Sequence, residues 1–247
     1  MERNFPIIDK MLTMTLFSFA VSSMFSISIS QVSAGIGGFL WLTRTHLTNT
    51  WKEQRWPLGI LFLLFCSASV VAVTNAYDIS YSFPPLKKLL EILIFFWVLN
   101  CVRENNIRNS LSQALIASAT LASLFGLYQA WQAAPWLGVI RVEGTLSTYM
   151  TFAGLLMMVG VLAVSRTMFC QSVEKWVWAS IGIIFYCLLF TLTRQAWLGS
   201  FVGILFLVFF WRKKFLLFLP LLIIIIFLLS PDAVKTRVSE TIRNIVA

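Results

Sequence analysis

An apolar tract from about Val177 to Trp211 is interrupted by one charged residue, Arg194, and this tract constrains the fold more than any other part of the chain. A single helix through it would measure about 50 Å at about 1.5 Å per residue, whereas the hydrocarbon core of a bilayer is about 30 Å thick. The tract therefore predicts two short crossings that meet in a turn at Arg194. A guanidinium beside hydrocarbon is costly unless it snorkels, pairs or lines a wet cavity, so Arg194 is either an interfacial anchor or a functional residue.

The composition of the whole chain is typical of a polytopic membrane protein. Of 247 residues, 59% are hydrophobic and 12% are charged, about half the charged fraction of soluble domains. Apolar segments near spanning length recur at about Met11–Ser28, Val32–Leu42, Pro57–Tyr77, Leu86–Val102, Leu111–Trp131, Thr148–Val164, Val177–Thr193, Gln195–Trp211 and Phe215–Leu229. The sequence predicts an all-α, polytopic transmembrane helix bundle of about nine crossings, formed by residues 1–230.

The two ends of the chain have distinct features. The first apolar segment lacks a small-residue cleavage site and is expected to be a retained anchor. The run Ser26–Ser30 predicts a bend or a broken helix, and the first two segments would form a tight hairpin. Residues 231–247 are expected to begin an extracytoplasmic loop, because Val234, Val238, Ile242 and Ile245 have the spacing of an amphipathic helix.

The distribution of basic residues predicts a cytoplasmic N-terminus. With that orientation the inward loops hold Arg3, Lys10, Arg44, Lys52, Arg55, Arg103, Arg108, Arg166, Lys175, Arg212, Lys213 and Lys214. The outward side holds Lys87, Lys88, Arg141, Arg194, Lys235, Arg237 and Arg243. The positive-inside rule favours this arrangement, so the net charge of +9 reflects topology and contact with membrane lipids, and not binding of nucleic acid.

Several outward polar residues are candidates for a binding site. The loop Gln132–Thr148 carries Arg141 and Glu143, is longer than a connector requires, and could hold a short interfacial helix. Lys87 and Lys88 begin a crossing against the positive-inside bias, although Glu91 one turn later could pair with either lysine and make them structural. Gln195 follows Arg194 directly.

The sequence lacks the motifs of most soluble enzymes. It has no phosphate-binding glycine loop, no nucleophile elbow and no His-x-x-x-His pair, and its outward carboxylates are not paired for metal binding. The four cysteines fit neither a zinc site nor a redox pair, and His46 is expected to be a solvated residue of an inward loop. We therefore predict no metal and no cofactor. Forked guanidinium donors do suit phosphate, so Arg141 and Arg194 indicate a lipid-phosphate site.

Two motifs in this chain resemble those of the O-antigen ligase and O-antigen polymerase family of bacterial membrane glycosyltransferases. Arg141–Gly144 (R-V-E-G), ahead of the small-residue helix that begins near Met150, is similar to the family's arginine, two residues, glycine motif. Thr193–Gly199 (T-R-Q-A-W-L-G) is similar to its second motif, with Thr193 in place of the common serine. The resemblance extends over roughly Val32–Arg243 through the number and spacing of the crossings.

This resemblance implies a multi-pass enzyme of the bacterial inner membrane. It would transfer an undecaprenyl-diphosphate-linked glycan to a lipid A-core acceptor, or to a growing glycan as a polymerase does. Arg141 and Arg194 would be catalytic by binding the pyrophosphate, and Lys87, Lys88, Glu143 and Gln195 are further candidates for substrate binding. Because of its position, Glu143 is expected to be the salt-bridge partner of Arg141.

One departure from the family leaves other functions open. In the family, a histidine regarded as the base that activates the acceptor hydroxyl lies in a large extracytoplasmic loop, after the crossing equivalent to Phe215–Leu229. No such histidine is present before Ala247. We expect either a truncated chain that binds donor without catalysing transfer, or a different function. The alternatives are a polytopic transporter or flippase and an assembly partner that has lost catalysis, although no internal repeat of the kind found in transporters is visible.

Overall fold

A computed structural model of the chain describes residues 6–78, 82–133, 141–170 and 174–211, and all regular structure in these ranges is helical. The eight α-helices are α1 (Pro6–Ser22), α2 (Ile27–Thr48), α3 (Gly59–Thr74), α4 (Glu91–Cys101), α5 (Asn105–Ala133), α6 (Tyr149–Phe169), α7 (Lys175–Phe190) and α8 (Arg194–Trp211). Short 3₁₀ helices occupy Trp51–Glu53 and Pro84–Leu90. The predicted all-α class is confirmed for the part of the chain that is described.

Three of these helices are long and apolar enough to cross a membrane: residues Asn105–Gln132 within α5, together with α6 and α8. Helices α3 and α7 are apolar but have 16 residues each, or about 24 Å. Helix α4 is shorter still, because the segment predicted as Leu86–Val102 begins with the 3₁₀ helix. The described residues therefore show fewer full-length spans than the predicted nine, and residues 212–247, with the last crossing and the amphipathic helix, lie outside them.

The chain divides into two compact units, of which the first draws on residues 1–20 and 28–111. In this unit α1 and α2 form the predicted hairpin, since Ser18 Oγ lies 2.9 Å from Ser33 Oγ and Asp9 forms an ion pair with Arg44. Helix α2 is longer than the predicted second segment because it continues through a polar last part. His46 is thus an exposed residue of a helix and not of a loop.

The loop after α2 is held to α4 by a buried asparagine. The Asn100 side chain accepts a hydrogen bond from the Arg55 backbone N–H at 2.8 Å and donates one to the Arg55 carbonyl at 3.2 Å. A buried amide with both backbone partners is well satisfied, so this loop has a fixed path. Beside it the fully buried Trp97 packs edge-on against Phe19, with ring centroids 5.8 Å apart.

The second unit, residues 21–27 and 112–247, contains the larger described core. Helix α6 lies at its centre and packs along both α7 and α8. Glycines permit the close approach: a Cβ on Gly160 would lie 3.0 Å from the Phe185 ring, and one on Gly203 would lie 3.0 Å from Val161. These contacts fix the axial positions of α7 and α8, and thereby of the turn that joins them.

Candidate functional site

The segment between α5 and α6 that the structure describes, residues 141–148, is an irregular strip with alternating burial and a turn, in which the Leu146 N–H donates to the Glu143 carbonyl at 3.3 Å. Val142, Gly144 and Leu146 are buried, whereas Glu143 and Ser147 are exposed and Arg141 is half-buried. Val142 retains only 1% of its exposed area. This part of the loop therefore does not form the short interfacial helix that its length suggested, because alternate side chains are needed to close the core below it.

The backbone of Gly144 is held by a single side chain, that of Gln129 in α5. Its Oε1 accepts a hydrogen bond from the Gly144 N–H at 3.0 Å, and its Nε2 donates to the Gly144 carbonyl at 2.8 Å. Gly144 has a φ of +65°, and a Cβ there would lie 2.5–2.7 Å from atoms of the Phe152 ring. Both the left-handed conformation and the nearby ring require glycine at this position.

Two further hydrogen bonds fix the path of this strip. The Val142 N–H donates to the carbonyl of Phe190 at 3.2 Å, and the Thr145 hydroxyl donates to the Met24 carbonyl. Phe190 is the last residue of α7, four positions before Arg194. The first bond therefore joins the strip that begins with Arg141 directly to the end of α7, next to the turn that carries Arg194.

The sequence predicted a turn at Arg194; α7 and α8 are joined just before it, by a compact three-residue connection at 191–193. The Leu188 carbonyl, at the end of α7, accepts hydrogen bonds from Thr191 Oγ1 at 2.7 Å and from Trp197 Nε1 at 3.1 Å. Leu192 takes the left-handed conformation with φ +50°, which reverses the chain. Arg194 then begins α8 as a half-buried residue.

Thr193 and Trp197 form the hydrogen bonds that stabilise the turn before Arg194. The Thr193 hydroxyl donates to the Thr191 carbonyl at 3.2 Å, while the Thr193 carbonyl accepts the N–H groups of Ala196 and Trp197. The Thr193 hydroxyl thus stabilises the turn itself. Trp197, in the first turn of α8, donates its indole N–H to a carbonyl at the end of α7. This hydrogen bond joins the two helices beside Arg194 and holds the start of α8 in place.

The guanidinium of Arg141 stacks on an aromatic ring and forms no ion pair with Glu143. Its Cζ lies 4.7 Å from the ring centroid of Tyr149, the first residue of α6. In the part of the chain that the structure describes, the expected Arg141–Glu143 salt bridge is absent, and Glu143 is exposed. That prediction was wrong because the Tyr149 ring holds the guanidinium towards α6. A guanidinium stacked on one face keeps its N–H edge available for hydrogen bonding.

The other candidate residues are all accessible to solvent. Lys87 and Lys88 lie exposed on the Pro84–Leu90 helix of the first unit, and Glu91, which begins α4, makes no ion pair with them among the described residues. Gln195 is exposed in the first turn of α8. A role for these residues in substrate binding stays a prediction.

The structure adds a buried charge at the other end of the second unit. The side chain of Arg166, near the end of α6, is only 8% exposed. It donates to Ser112 Oγ of α5 at 2.6 Å and lies 3.8 Å from Glu174 Oε2, while Glu174 Oε1 accepts a hydrogen bond from Gln113 at 2.6 Å. Arg166 was predicted only as one of the inward loop charges. It connects α5 to the beginning of α7 instead.

Sequence reasoning missed Gln129 and Tyr149, the two residues that hold the Arg141 strip. Gln129 was visible as a polar residue near the end of an apolar segment, which is a signal for a buried hydrogen bond. Tyr149 gives no such signal, since its contact with Arg141 depends on the path that residues 141–148 take before α6 begins.

No protein-family model, curated protein or solved structure matches this chain. Within the described residues, no group of three His, Cys, Asp or Glu side chains could hold a metal ion. The chemistry of the site therefore has to be inferred from its own residues: two arginines on joined backbone segments, one stacked on a tyrosine and the other beginning a helix.

Proposed function

We propose that Arg141 and Arg194 together bind the diphosphate of a polyprenyl-linked glycan, and that the chain belongs to the transfer machinery of an O-antigen ligase type of glycosyltransferase. The observation that carries the proposal is the 3.2 Å hydrogen bond from the Val142 N–H to the Phe190 carbonyl. It joins the two arginine motifs, which are about fifty residues apart in the sequence. A diphosphate offers more acceptor oxygens than one guanidinium can engage, so two neighbouring forks suit it better than one.

The supports of Arg141 favour a site that is formed before the ligand arrives. Gln129 holds Gly144 by both of its backbone groups, and Tyr149 covers one face of the guanidinium. Little side-chain freedom then has to be lost on binding, which increases affinity without adding contacts. An arginine that only snorkels to the interface needs neither the glycine strip nor the stacked ring.

In the proposed reaction an acceptor hydroxyl attacks the anomeric carbon of the donor sugar as the bond from that carbon to the diphosphate oxygen breaks. Negative charge develops on the departing diphosphate, and Arg141 and Arg194 stabilise it there. The configuration at the anomeric carbon inverts. The acceptor is a lipid A-core or another growing glycan, and no residue described here is assigned to remove its proton.

We infer that this chemistry takes place at the outer surface of the bacterial inner membrane. The site lies at the start of α6 and α8, two of the helices long enough to span a membrane. With the N-terminus in the cytoplasm, these helix ends face outward from the bacterial inner membrane. The lipid-linked donor then reaches the arginines laterally, from the bilayer. The excess of basic residues in the predicted inward loops supports this orientation.

Binding of donor to the purified full-length chain in lipid nanodiscs tests the proposal. Arg141→Lys and Arg194→Lys should each weaken binding of undecaprenyl-diphosphate-linked glycan about tenfold or more, because lysine keeps the charge but loses the planar fork. Tyr149→Phe should bind normally and Tyr149→Leu should bind less tightly, since only the aromatic face is needed.

The matched control is Arg108→Lys, the same chemical change at an exposed arginine of α5 on the predicted inward side. It should bind donor as the unmodified chain does. Thermal unfolding of each variant separates loss of binding from loss of fold. Normal donor binding by Arg194→Lys, or no donor binding by the unmodified chain, would show that these arginines are membrane anchors.

A further inference from the structure

We propose that Arg55 and Arg103, in the first unit, bind the phosphate of an anionic phospholipid whose acyl chains lie along the apolar surface of α3 and α4. One buried side chain brings the two arginines together. Asn100 Oδ1 accepts hydrogen bonds from the Arg55 backbone N–H at 2.8 Å and from Arg103 Nη2 at 3.2 Å. The Arg103 guanidinium therefore lies beside the backbone of Arg55, and this site is independent of the proposed glycan transfer.

Both guanidinium groups keep donors that a phosphate can use. Arg103 Nη2 also donates to the Glu53 carbonyl at 3.1 Å and reaches Gln54 Oε1 at 3.5 Å, which fixes the orientation of the group. Among the described residues, Arg103 Nη1 and Nε donate no hydrogen bond, and the exposed Arg55 guanidinium has neither a hydrogen bond nor an ion pair. A guanidinium with one nitrogen fixed and its other donors open suits a phosphate oxygen pair.

The charges around the two arginines leave a small positive balance. Lys52, Arg55 and Arg103 are exposed cations, whereas Glu53 and Glu104 are exposed carboxylates, and none of the five forms an ion pair in the part of the chain that the structure describes. The cations outnumber the carboxylates by one, so long-range attraction of an anion is weak. Direct hydrogen bonds to the phosphate must supply most of the preference for an anionic lipid, as in other basic clusters at helix ends.

The surface next to the arginines suits the rest of a phospholipid. The Trp56 side chain, beside Arg55, is 43% exposed. Phe62 of α3 lies 5.5 Å, between ring centroids, from Phe95 of α4, which is 41% exposed, and α3 has no buried residue. At about 1.5 Å per residue, Phe95 lies about 8 Å along α4 from Asn100. Phosphate donors, an interfacial tryptophan and apolar helices thus follow in the order of a lipid headgroup and its chains, whereas a soluble phosphate would use only the arginines.

The experiment measures binding of the first lipid to the purified chain in detergent by native mass spectrometry, with phosphatidylglycerol and phosphatidylcholine of the same acyl chains. The unmodified chain should bind phosphatidylglycerol about three- to tenfold more tightly. Arg55→Gln and Arg103→Gln should each weaken binding of phosphatidylglycerol by about the same factor and change binding of phosphatidylcholine by less than about twofold. Glycerol 3-phosphate, which has the phosphate without acyl chains, should not displace the lipid.

Arg108→Gln is the matched control, because it removes the same charge from an exposed arginine on the same predicted side. It should change neither affinity. Arg103→Gln also removes a hydrogen bond to the 51–58 loop, so thermal unfolding is measured for each variant, and Arg55→Gln decides the question if Arg103→Gln unfolds. Equal affinity of the unmodified chain for both lipids would overturn the site, as would equal effects of Arg55→Gln and Arg108→Gln. Displacement of the lipid by glycerol 3-phosphate would replace it with a site for soluble phosphates.

Discussion

In the 141–148 strip, Gly144 has a backbone conformation and a close neighbour that exclude most other residue types, and substitution can test this. Gly144 has φ +65° and faces the Phe152 ring, and its N–H and carbonyl are both bound by Gln129. A side chain at this position would meet a strained backbone and a neighbouring ring at once. Local geometry thus accounts for the glycine at this position.

We predict that Gly144→Ala destabilises the chain by about 1–3 kcal/mol, from the left-handed backbone and the displacement of Phe152. Its unfolding temperature in detergent should fall. The control is Gly154→Ala in α6, where a Cβ would meet nothing within 4 Å and where alanine favours the helix. If the two variants unfold at the same temperature, the strip does not hold Gly144 in this conformation.

At this scale the sequence indicated the charged residues of the site but not their supports. Arg141 and Arg194 could be chosen because a charge beside an apolar segment is costly and therefore conspicuous. The stacking of Arg141 on Tyr149, in place of the expected pair with Glu143, depends on the path of the seven intervening residues. Arg166 shows the same limit, since an arginine near the end of an apolar segment gives no sign of whether its side chain is buried.

Among the helices, the packing of α6 against α8 positions Arg194. Gly199 and Gly203 lie one turn apart on α8 and face Met157 and Val161, also one turn apart on α6. A side chain on Gly199 would collide with the Met157 sulfur, and one on Gly203 would press on Val161. Small residues at such a seam let two membrane helices approach closely, which fixes their register.

We predict that Gly199→Ala lowers the unfolding temperature and also weakens donor binding, because the added methyl group displaces the Met157 side chain that packs between α6 and α8, and Arg194 is the first residue of α8. The cost should be smaller in a Met157→Ala background, which removes the colliding side chain. A double-mutant cycle measures this coupling, and about 0.5 kcal/mol or more is expected for residues in contact. Gly182→Ala in α7, where the added Cβ meets open space, is the control. Additive effects of the two substitutions on stability would show that positions 199 and 157 are not in contact.

The predicted helix boundaries agree with the structure where an apolar run begins or ends sharply. The segment predicted to start at Gln195 is α8, which begins at Arg194, and the segment predicted to start at Thr148 is α6, which begins at Tyr149. Other helix boundaries could not be predicted, because the helix continues into polar residues that flank the apolar run. Helix α2 extends beyond its predicted apolar run in both directions, because serine and threonine residues can continue a helix while lowering its hydropathy.

For the whole molecule, the number of crossings was harder to predict than the class of fold. Hydropathy marks each apolar run, but a run crosses a bilayer only if its helix is long enough. Helices α3, α4 and α7 are apolar yet measure about 24, 17 and 24 Å, short of a hydrocarbon core of about 30 Å. Helix α6 is a clearer case: its 21 residues measure about 31 Å, which matches the core without tilt.

Helix α6 therefore gives the sharpest test of topology. Exposed Cys170 follows its last residue, and exposed Ser147 lies two residues before its first. With a cytoplasmic N-terminus, the native Cys170 thiol should react with a membrane-impermeant maleimide only after cells are permeabilised. Ser147→Cys, in a Cys170→Ser background, should react in intact cells, and site-resolved mass spectrometry distinguishes these thiols from the others.

The physical reason is that α6 has the length of the bilayer core and has Arg166 and Lys175 near one end, as the positive-inside rule requires for a cytoplasmic face. Reaction of both sites in intact cells would show that α6 does not cross. Reaction of Cys170 with protection of the cysteine at 147 would reverse the orientation. Arg141 and Arg194 would then face the cytosol, and a donor carried on the outer leaflet could not reach them.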